Sequence, residues 1–569
     1  MPLGGALQIG NSALVAHQAA IEAAGNNLAN LATSGYHRQK VDLVPHRSTE
    51  FQSGLFIGRG VQINAITRQV DNALEGRIRA SISDQAYSLA RKEVLTQIEA
   101  LQNEYSEADL SSRLDAFLHA WSELSTPDPQ DHALRTLVIR EGSQLADFAK
   151  GLHGGLAQQR TQVDNSIDAA AIVSDDLLTQ IAAVDHQIMK ANPMGDGAPT
   201  LRDRRDVMLA ELGEYVDVSV HEHPSGSIDV FIGSMPVILN GESRGIRVER
   251  LDIDGEMNVR LVVKDNGTAL FPTSGRIGSL MDVRQRDVNF AIDNLDAFIN
   301  ELIFQVNKIH SQGQGLSGWN SVTSTNRVLD PTFALNDAAS GLGFTPEHGS
   351  FQLHVREKST GEIRSSTIQV DLDGIDAGND ARLGTLQAAI SAVGNVIASV
   401  TPDGRLTIAA EGSGSEISFS EDSSGVLAAL GINTFFEGSG GGNIAVNQRV
   451  AQSPELVAAS QDHTVGNNHN ALAMVELGKQ QIDAFHGLTF QQSWARRVED
   501  FALRINQINE QLESDTIVTA SLRAQQQSVS GVNTDEELIN LLAFQRAYQG
   551  SARFLQVVDE LLETLVSLV

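Results

Sequence analysis

The chain has 569 residues, with 71 acidic against 41 basic side chains, a net charge of −30 and no cysteine. That length predicts two to four domains with a sizeable core. Without cysteine there are no disulfides, no thiolate catalysis and no cysteine metal sites, and the acidic balance without a basic run argues against nucleic acid or an anionic membrane surface as partner.

No Lys or Arg precedes Arg38 and no apolar run is long enough for a signal peptide or a membrane span, so neither is expected. From Leu3 to Leu31 apolar residues recur in sevens. Leu7, Leu14, Ile21 and Leu28 occupy one heptad position, and Leu3, Gly10, His17, Ala24 and Leu31 the other. The pattern stops at Thr33-Ser34-Gly35, where glycine can take the left-handed conformation that closes a helix. Asn26, Asn27 and Asn30 lie off the seam. Asparagine is a poor helix former, so these are either solvated amides near a fraying end or amides that fix how helices register against one another. Val41 to Ile66 alternates and carries Gly54, Gly58 and Gly60, which predicts strands and turns.

Helices are predicted over 88–105 and 110–124, with a turn at Thr126-Pro127-Asp128-Pro129. Helical periodicity then runs from His132 to Ala191 with a glycine break at Gly151 to Gly155. Leu201 to Leu212 is one more helix, and its Asp203, Arg205 and Asp206 read as a surface charge cluster. From Val216 to Leu270 the period is two, the mark of strands. A helix returns from Ile277 to His310, followed by a glycine-rich hinge at Ser311 to Gly318. Val328 to Ile444 reads as an inserted β-rich domain with a short helix near Leu383 to Ala392. After Ser453 the chain is helical again, almost without interruption from Ala471 to Ser528.

Candidate chemistry along this stretch is thin. Gly313, Gly315 and Gly318 satisfy GxGxxG but lack the strand-then-helix context of a dinucleotide site. His221 and His223 flank Glu222 in a strand and want a third metal ligand. Asp371, Asp373, Asp376 and Asp380 do not fit an EF-hand, because Gly374 is misplaced. No catalytic, cofactor-binding or metal residues are expected, and the protein is read as a non-enzyme.

The last stretch, Asn533 to Val569, repeats the sevenfold pattern. Leu541, Tyr548, Leu555, Leu562 and Val569 share one position; Phe544, Val558 and Leu565 share the other, broken at Ser551, with Leu538 one residue off its register. Thr534 and Glu537 fit a capping box. Ala547, Phe554, Leu561 and Leu568 make a second apolar stripe, more than one partner helix can cover, so lateral contacts with neighbouring copies are expected there. Heptads at both ends predict a paired coiled coil of residues 1–52 and 531–569. Around it come a long-helix bundle of 53–312 and 453–530, with a β-rich subregion at 216–270, and the inserted β-rich domain at 328–444. The fold is therefore expected to be mainly α with β-rich parts. The uncovered stripes further predict terminal helices that stay largely disordered until assembly.

Two motifs carry a family resemblance. Asn26, Asn27, Asn30, Thr33, Gly35 and Tyr36 resemble the N-terminal signature of the bacterial flagellar axial proteins, the rod, hook and hook-associated proteins. Gly531, Val532, Asn533, Asp535, Glu536, Glu537, Asn540, Leu541, Leu542, Phe544, Gln545, Ala547, Tyr548 and Gln549 resemble the C-terminal signature that these proteins share. Gly550 stands where the family usually has alanine. The long helical block with LRDRRDVMLAEL after it is similar to the helical domain of the hook-associated members. The resemblance implies a structural subunit, a ring of copies at the hook–filament junction that filament assembly needs. It also implies hook protein and a second hook-associated junction protein as neighbours, and a cytoplasmic chaperone on the C-terminal helix. Its implied location is extracellular, after type III export without a cleaved signal peptide. A hook-type axial protein, or a secreted protein with a carbohydrate-binding or hydrolytic β-domain, are the alternatives.

Overall fold

Both ends of the chain are long helices, Leu3–Ala29 and Thr534–Ser567, and they lie side by side. The computed structural model describes all residues except 1–2, 53–54, 103–108, 127–128, 192–196, 254–255, 376–377, 463, 465 and 568–569. Gly54, Pro127, Asp128, Asp376, Leu568 and Val569 therefore fall outside the described residues. With 56% helix and 17% strand, the fold is mainly α with β-rich parts, the class that the periodicities predict. No described helix is long and apolar enough to cross a membrane. The chain divides into two compact units, one of residues 1–94, 162–285 and 505–569, the other of 95–161 and 286–504.

In the first unit the terminal helices run antiparallel. Gly10 faces Leu555 and Phe554, while Asn27 faces Glu537, so one chain direction rises as the other falls. Strands Gln39–Pro45 and Val61–Arg68 pair from Gln39↔Arg68 to Pro45↔Val61, with a bulge at Asp42/Leu43. This ribbon lies on the N-terminal helix; a Cβ on Gly60 would stand 2.1 Å from the Ser12 hydroxyl. Leu74, Ile78, Ile82 and Leu522 form an apolar core with Ala210 packed against it. Buried hydroxyls join the same helices, Ser81 to Thr519 at 2.8 Å and Ser88 donating to Asp515 at 2.6 Å. Residues 218–243 form a four-stranded meander, and 246–270 a three-stranded sheet with Glu256–Val263 in the middle.

The second unit has an aromatic centre of Phe117, Trp121, His310, Phe435 and Phe436. His310 is fully buried: its Nδ1 lies 2.7 Å from the Asn433 carbonyl and its Nε2 accepts from the Ala458 amide at 3.0 Å. That pattern fixes the neutral Nδ1–H tautomer. Burial, with nearby Arg135 against it as well, pushes its pKa down to about 4 despite the Asn433 bond. Two three-stranded antiparallel sheets carry the strands foreseen between 328 and 444. One is centred on Gly349–Glu357, the other on Leu406–Ala410. Phe351, Leu353, Phe419, Ile408, Leu383 and Ile390 belong to the core they share.

Several local expectations are corrected. The glycines at 151–155 do not break their helix, which runs 60 residues from His132 to Ala191; Gly155 instead admits Leu101, 3.0 Å from where a Cβ would sit. The stretch 311–318 is no hinge. A Cβ on Gly313 would strike Asn470, and one on Gly315 the Glu455 carbonyl, both at 2.1 Å, so these glycines permit close backbone packing. Helix 275–311 is interrupted by a π-turn at Arg284–Asn289. The helix foreseen over 471–528 is two, Leu477 ending one and Phe490 starting the next, because His486 and Gly487 take positive φ in the turn between. Both terminal helices lie side by side over most of their length, and the polar contacts described next join them.

Candidate assembly interface

The N-terminal helix buries a stripe of small residues: Gly10, Ala16, Ala20, Ala23, Ala24 and Asn27. Small side chains let the neighbouring backbone come close, and Gly10 is where this is tightest. A Cβ there would lie 2.6 Å from Leu555 Cγ and 3.2 Å from the Phe554 ring. Leu7, Leu14, Ile21 and Leu28 are only half-buried beside that stripe.

The C-terminal helix fully buries just Glu537 and Val558 among its described residues. Leu541, Phe544, Leu555 and Leu562 are half-buried, and so is Ala547, while Leu538, Tyr548 and Leu565 are exposed. Of the second stripe, Phe554 and Leu561 are 44% and 53% exposed. Ile539, Leu542, Val557 and Val566, which the heptad pattern does not single out, are exposed too. One antiparallel neighbour covers about a third of a helix's circumference, so most of this apolar side faces outward.

At the foot of the pair sits a buried polar network. Asn27 is saturated: its Nδ2 donates to the Gln39 carbonyl at 2.9 Å and to Glu537 at 3.1 Å. Its Oδ1 accepts from the Tyr36 hydroxyl at 2.8 Å and the Gln39 amide at 2.9 Å. Arg38 holds Glu537 through Nε at 2.7 Å and Glu536 at 2.8 Å. Asn533, not Thr534, caps the helix, accepting from the Asp535 amide at 2.9 Å; Glu537 is thus freed from the capping box and turned to Asn27 and Arg38. Burial first, then the charges of Asp203 and Glu537, push the Tyr36 phenol up to about 12.

His37 points the other way. Its Nδ1 is 2.7 Å from Asp203 and its Nε2 3.4 Å from Glu75, which also accepts from Gln526 at 2.6 Å. Arg68 bridges Asp203 and Asp206 at 2.8 and 2.7 Å. Burial would lower the His37 pKa, but the bonds to Asp203 and Glu75 outweigh it and raise it to about 9. Glu75 is correspondingly lowered: its bonds to His37 and Gln526 overcome its own burial.

Asn26 and Asn30 serve the helix end itself. Asn30 donates to the Asn26 carbonyl and side chain, both at 2.9 Å, and accepts from Thr33 at 3.2 Å. Gly35 has φ of 75°, and a Cβ there would lie 2.2 Å from Val207 of helix Pro199–Tyr215. Gln545 is exposed, and nothing lies within 4 Å of a Cβ on Gly550. Asp203 and Arg205 are not the surface cluster they read as. Both are buried, Asp203 under His37, Arg205 between Asp185 at 2.8 Å and the Gly226 carbonyl at 2.7 Å. The sequence reading missed His37, Arg38, Arg68 and Glu75. The one available signal was the placement of His37 and Arg38 directly after the signature tyrosine.

The His221 and His223 rings lie 5.2 Å apart; His223 meets Asp229 at 2.9 Å, and Glu222 pairs with Arg202 and Arg205. Among the described residues, His348, Asp371 and Asp373 are close enough to share an ion; His348 and Asp373 are exposed, Asp371 is half-buried, and His348 Nδ1 accepts from the Leu372 amide.

A family model described as the flagellar hook-associated protein FlgK helical domain matches residues 95–323. One described as the flagellar basal body rod FlgEFG protein C-terminal matches 525–568. The flagellar hook-associated protein 1 of Escherichia coli (strain K12) is 23% identical over 569 residues, covering 98% of each chain. That of Salmonella typhimurium is 24% identical, again over 98% of each, and that of Bacillus subtilis (strain 168) 22%, over 99% of this chain and 97% of the relative. In fold, the chain is similar to the flagellar hook junction protein FlgK from Burkholderia pseudomallei. The TM-score is 0.54 at 12% identity, over 80% of this chain and 100% of that one. With a helical domain of hook-associated type, a C-terminal helix of the type found in the rod proteins, and relatives that align over nearly its whole length, the chain is similar throughout to the flagellar hook-associated proteins.

Proposed function

We propose that the protein is a structural subunit of the bacterial flagellum that joins hook to filament and is needed for filament assembly. The observation that carries this is the apolar face of the C-terminal helix, left exposed by its partner in a chain that resembles hook-associated protein 1 from end to end. Fully burying a side chain such as Leu561 or Val566 stabilises a contact by about 1.5–3 kcal/mol. Two clusters of them on one helix, at 538–542 and 554–566, make an interaction surface.

In this reading Ile539, Leu542, Val557, Leu561, Leu565 and Val566 meet neighbouring copies in a ring, and the paired terminal helices form its inner wall. Hook protein lies on one side and a second junction protein on the other. The subunit reaches the flagellar tip by export without a cleaved signal peptide, and a cytoplasmic chaperone covers the C-terminal helix beforehand. Immunogold labelling of isolated flagella tests the placement. A single narrow band where hook meets filament is expected; label along the whole hook would mark a hook-type protein instead.

A further inference from the structure

Tyr36, His37 and Arg38 are consecutive, yet their side chains serve two different networks. Tyr36 and Arg38 reach Asn27, Glu536 and Glu537, which belong to the terminal helix pair. His37 reaches Asp203 of helix Pro199–Tyr215 and Glu75 of helix Asn72–Gln102. The backbone of this segment is held as well: the Arg38 amide donates to the Ser530 carbonyl at 3.0 Å, and its carbonyl accepts from Gln69 at 2.8 Å. The segment is thus fastened on one side to the helix pair and on the other to the helices that carry it.

The His37 side is conditional on a proton. Both ring nitrogens face carboxylate oxygens, and only the imidazolium has two N–H donors. A neutral ring would leave one carboxylate facing a lone pair. The surrounding charges are Arg68 from the ribbon, Glu75 and Arg79 from the 72–102 helix, and Asp203 and Asp206 from the 199–215 helix. Helix Phe490–Ser530 contributes the uncharged Gln526.

We propose that Tyr36–His37–Arg38 is a two-sided clasp that sets the tilt of the assembly helices on the helical body, with the His37 imidazolium as its releasable pin. The clasp rests on the reading that this helix pair is the assembly element, and regulates it. Loss of the proton opens the body side, and the helix pair swings while remaining paired through Asn27 and Glu537.

The absence of cysteine makes this directly measurable in the full chain. Spin labels at Glu211→Cys and Gln549→Cys report helix pair against body; labels at Gln180→Cys and Glu211→Cys report the body alone. Electron–electron resonance should give a narrow distance distribution for the first pair at pH 7 that at least doubles in width with a midpoint near pH 9. The second pair should stay narrow throughout. His37→Gln, which keeps a hydrogen-bonding side chain but no charge, should be broad already at pH 7. The clasp is overturned if the first pair keeps its width to pH 10, if both pairs broaden together, or if His37→Gln matches its parent. Ring formation by the unlabelled protein is scored separately, so a rigid helix pair that still forms rings would remove the clasp and leave the assembly reading standing.

Discussion

The Asn27 side chain donates to the Glu537 carboxylate at 3.1 Å across 510 residues of chain, both groups buried. This is where the two ends of the molecule recognise each other chemically. The apolar stripes bring the helices together without fixing their register, since a helix can slide along another of similar pattern. A saturated amide beneath a buried carboxylate has one position in which all its bonds are made.

Asn27→Ala should therefore cost more than a surface asparagine. It strands the Tyr36 hydroxyl, the Gln39 amide and carbonyl, and the Glu537 carboxylate, and should lower the unfolding free energy by about 2–4 kcal/mol. Urea titration followed by circular dichroism checks this; Asn30→Ala, whose bonds are local and exposed, should stay within about 0.5 kcal/mol of the parent.

Stability should fall on the alkaline side. The folded His37 pKa of about 9 lies above its ordinary 6.5. The contribution of this group is therefore complete below pH 6.5 and is lost as pH rises through 9. Urea midpoints measured from pH 6 to 10 should decline across that window for the parent and much less for His37→Gln.

Gly10→Val should separate the helix pair, because its side chain would occupy the space of Leu555. Loss of assembly with the melting of the body unchanged is the expected result. Gly550→Ala is the opposite case: open space surrounds the position, and the helix should gain up to about 1 kcal/mol.

Asp185→Ala takes away the buried one of the two carboxylates on Arg205, leaving Glu222 at 3.1 Å, and strands the Ile228 amide; it should destabilise the first unit by about 3 kcal/mol. Scanning calorimetry of the full chain reads this directly.

Periodicity made much of the fold legible: both terminal helices, the strands at 216–270 and the strands of the insertion follow from periods of seven and two. Where the reading failed, tertiary packing had overridden local preference. Glycines at 151–155 sit inside a helix because neighbours supply the stability that propensity withholds. Arg205 looked like a surface charge because its partners Asp185 and Gly226 lie 20 and 21 residues away. The asparagines were visible as unusual, but which of them reaches the other helix was not. Asn26, Asn27 and Asn30 differ only in the direction that one turn of helix gives them, and only Asn27 points at Glu537.

The central claim is that the outward face of the C-terminal helix holds neighbouring copies together. Leu561→Asp with Val566→Asp tests it most directly, since both side chains are exposed in the single chain and neither should disturb its fold. Introduced in place of the native protein, the double variant should leave cells with hooks and no filaments, while the purified variant keeps the parent's helical signal. Full-length filaments on those hooks would contradict the account.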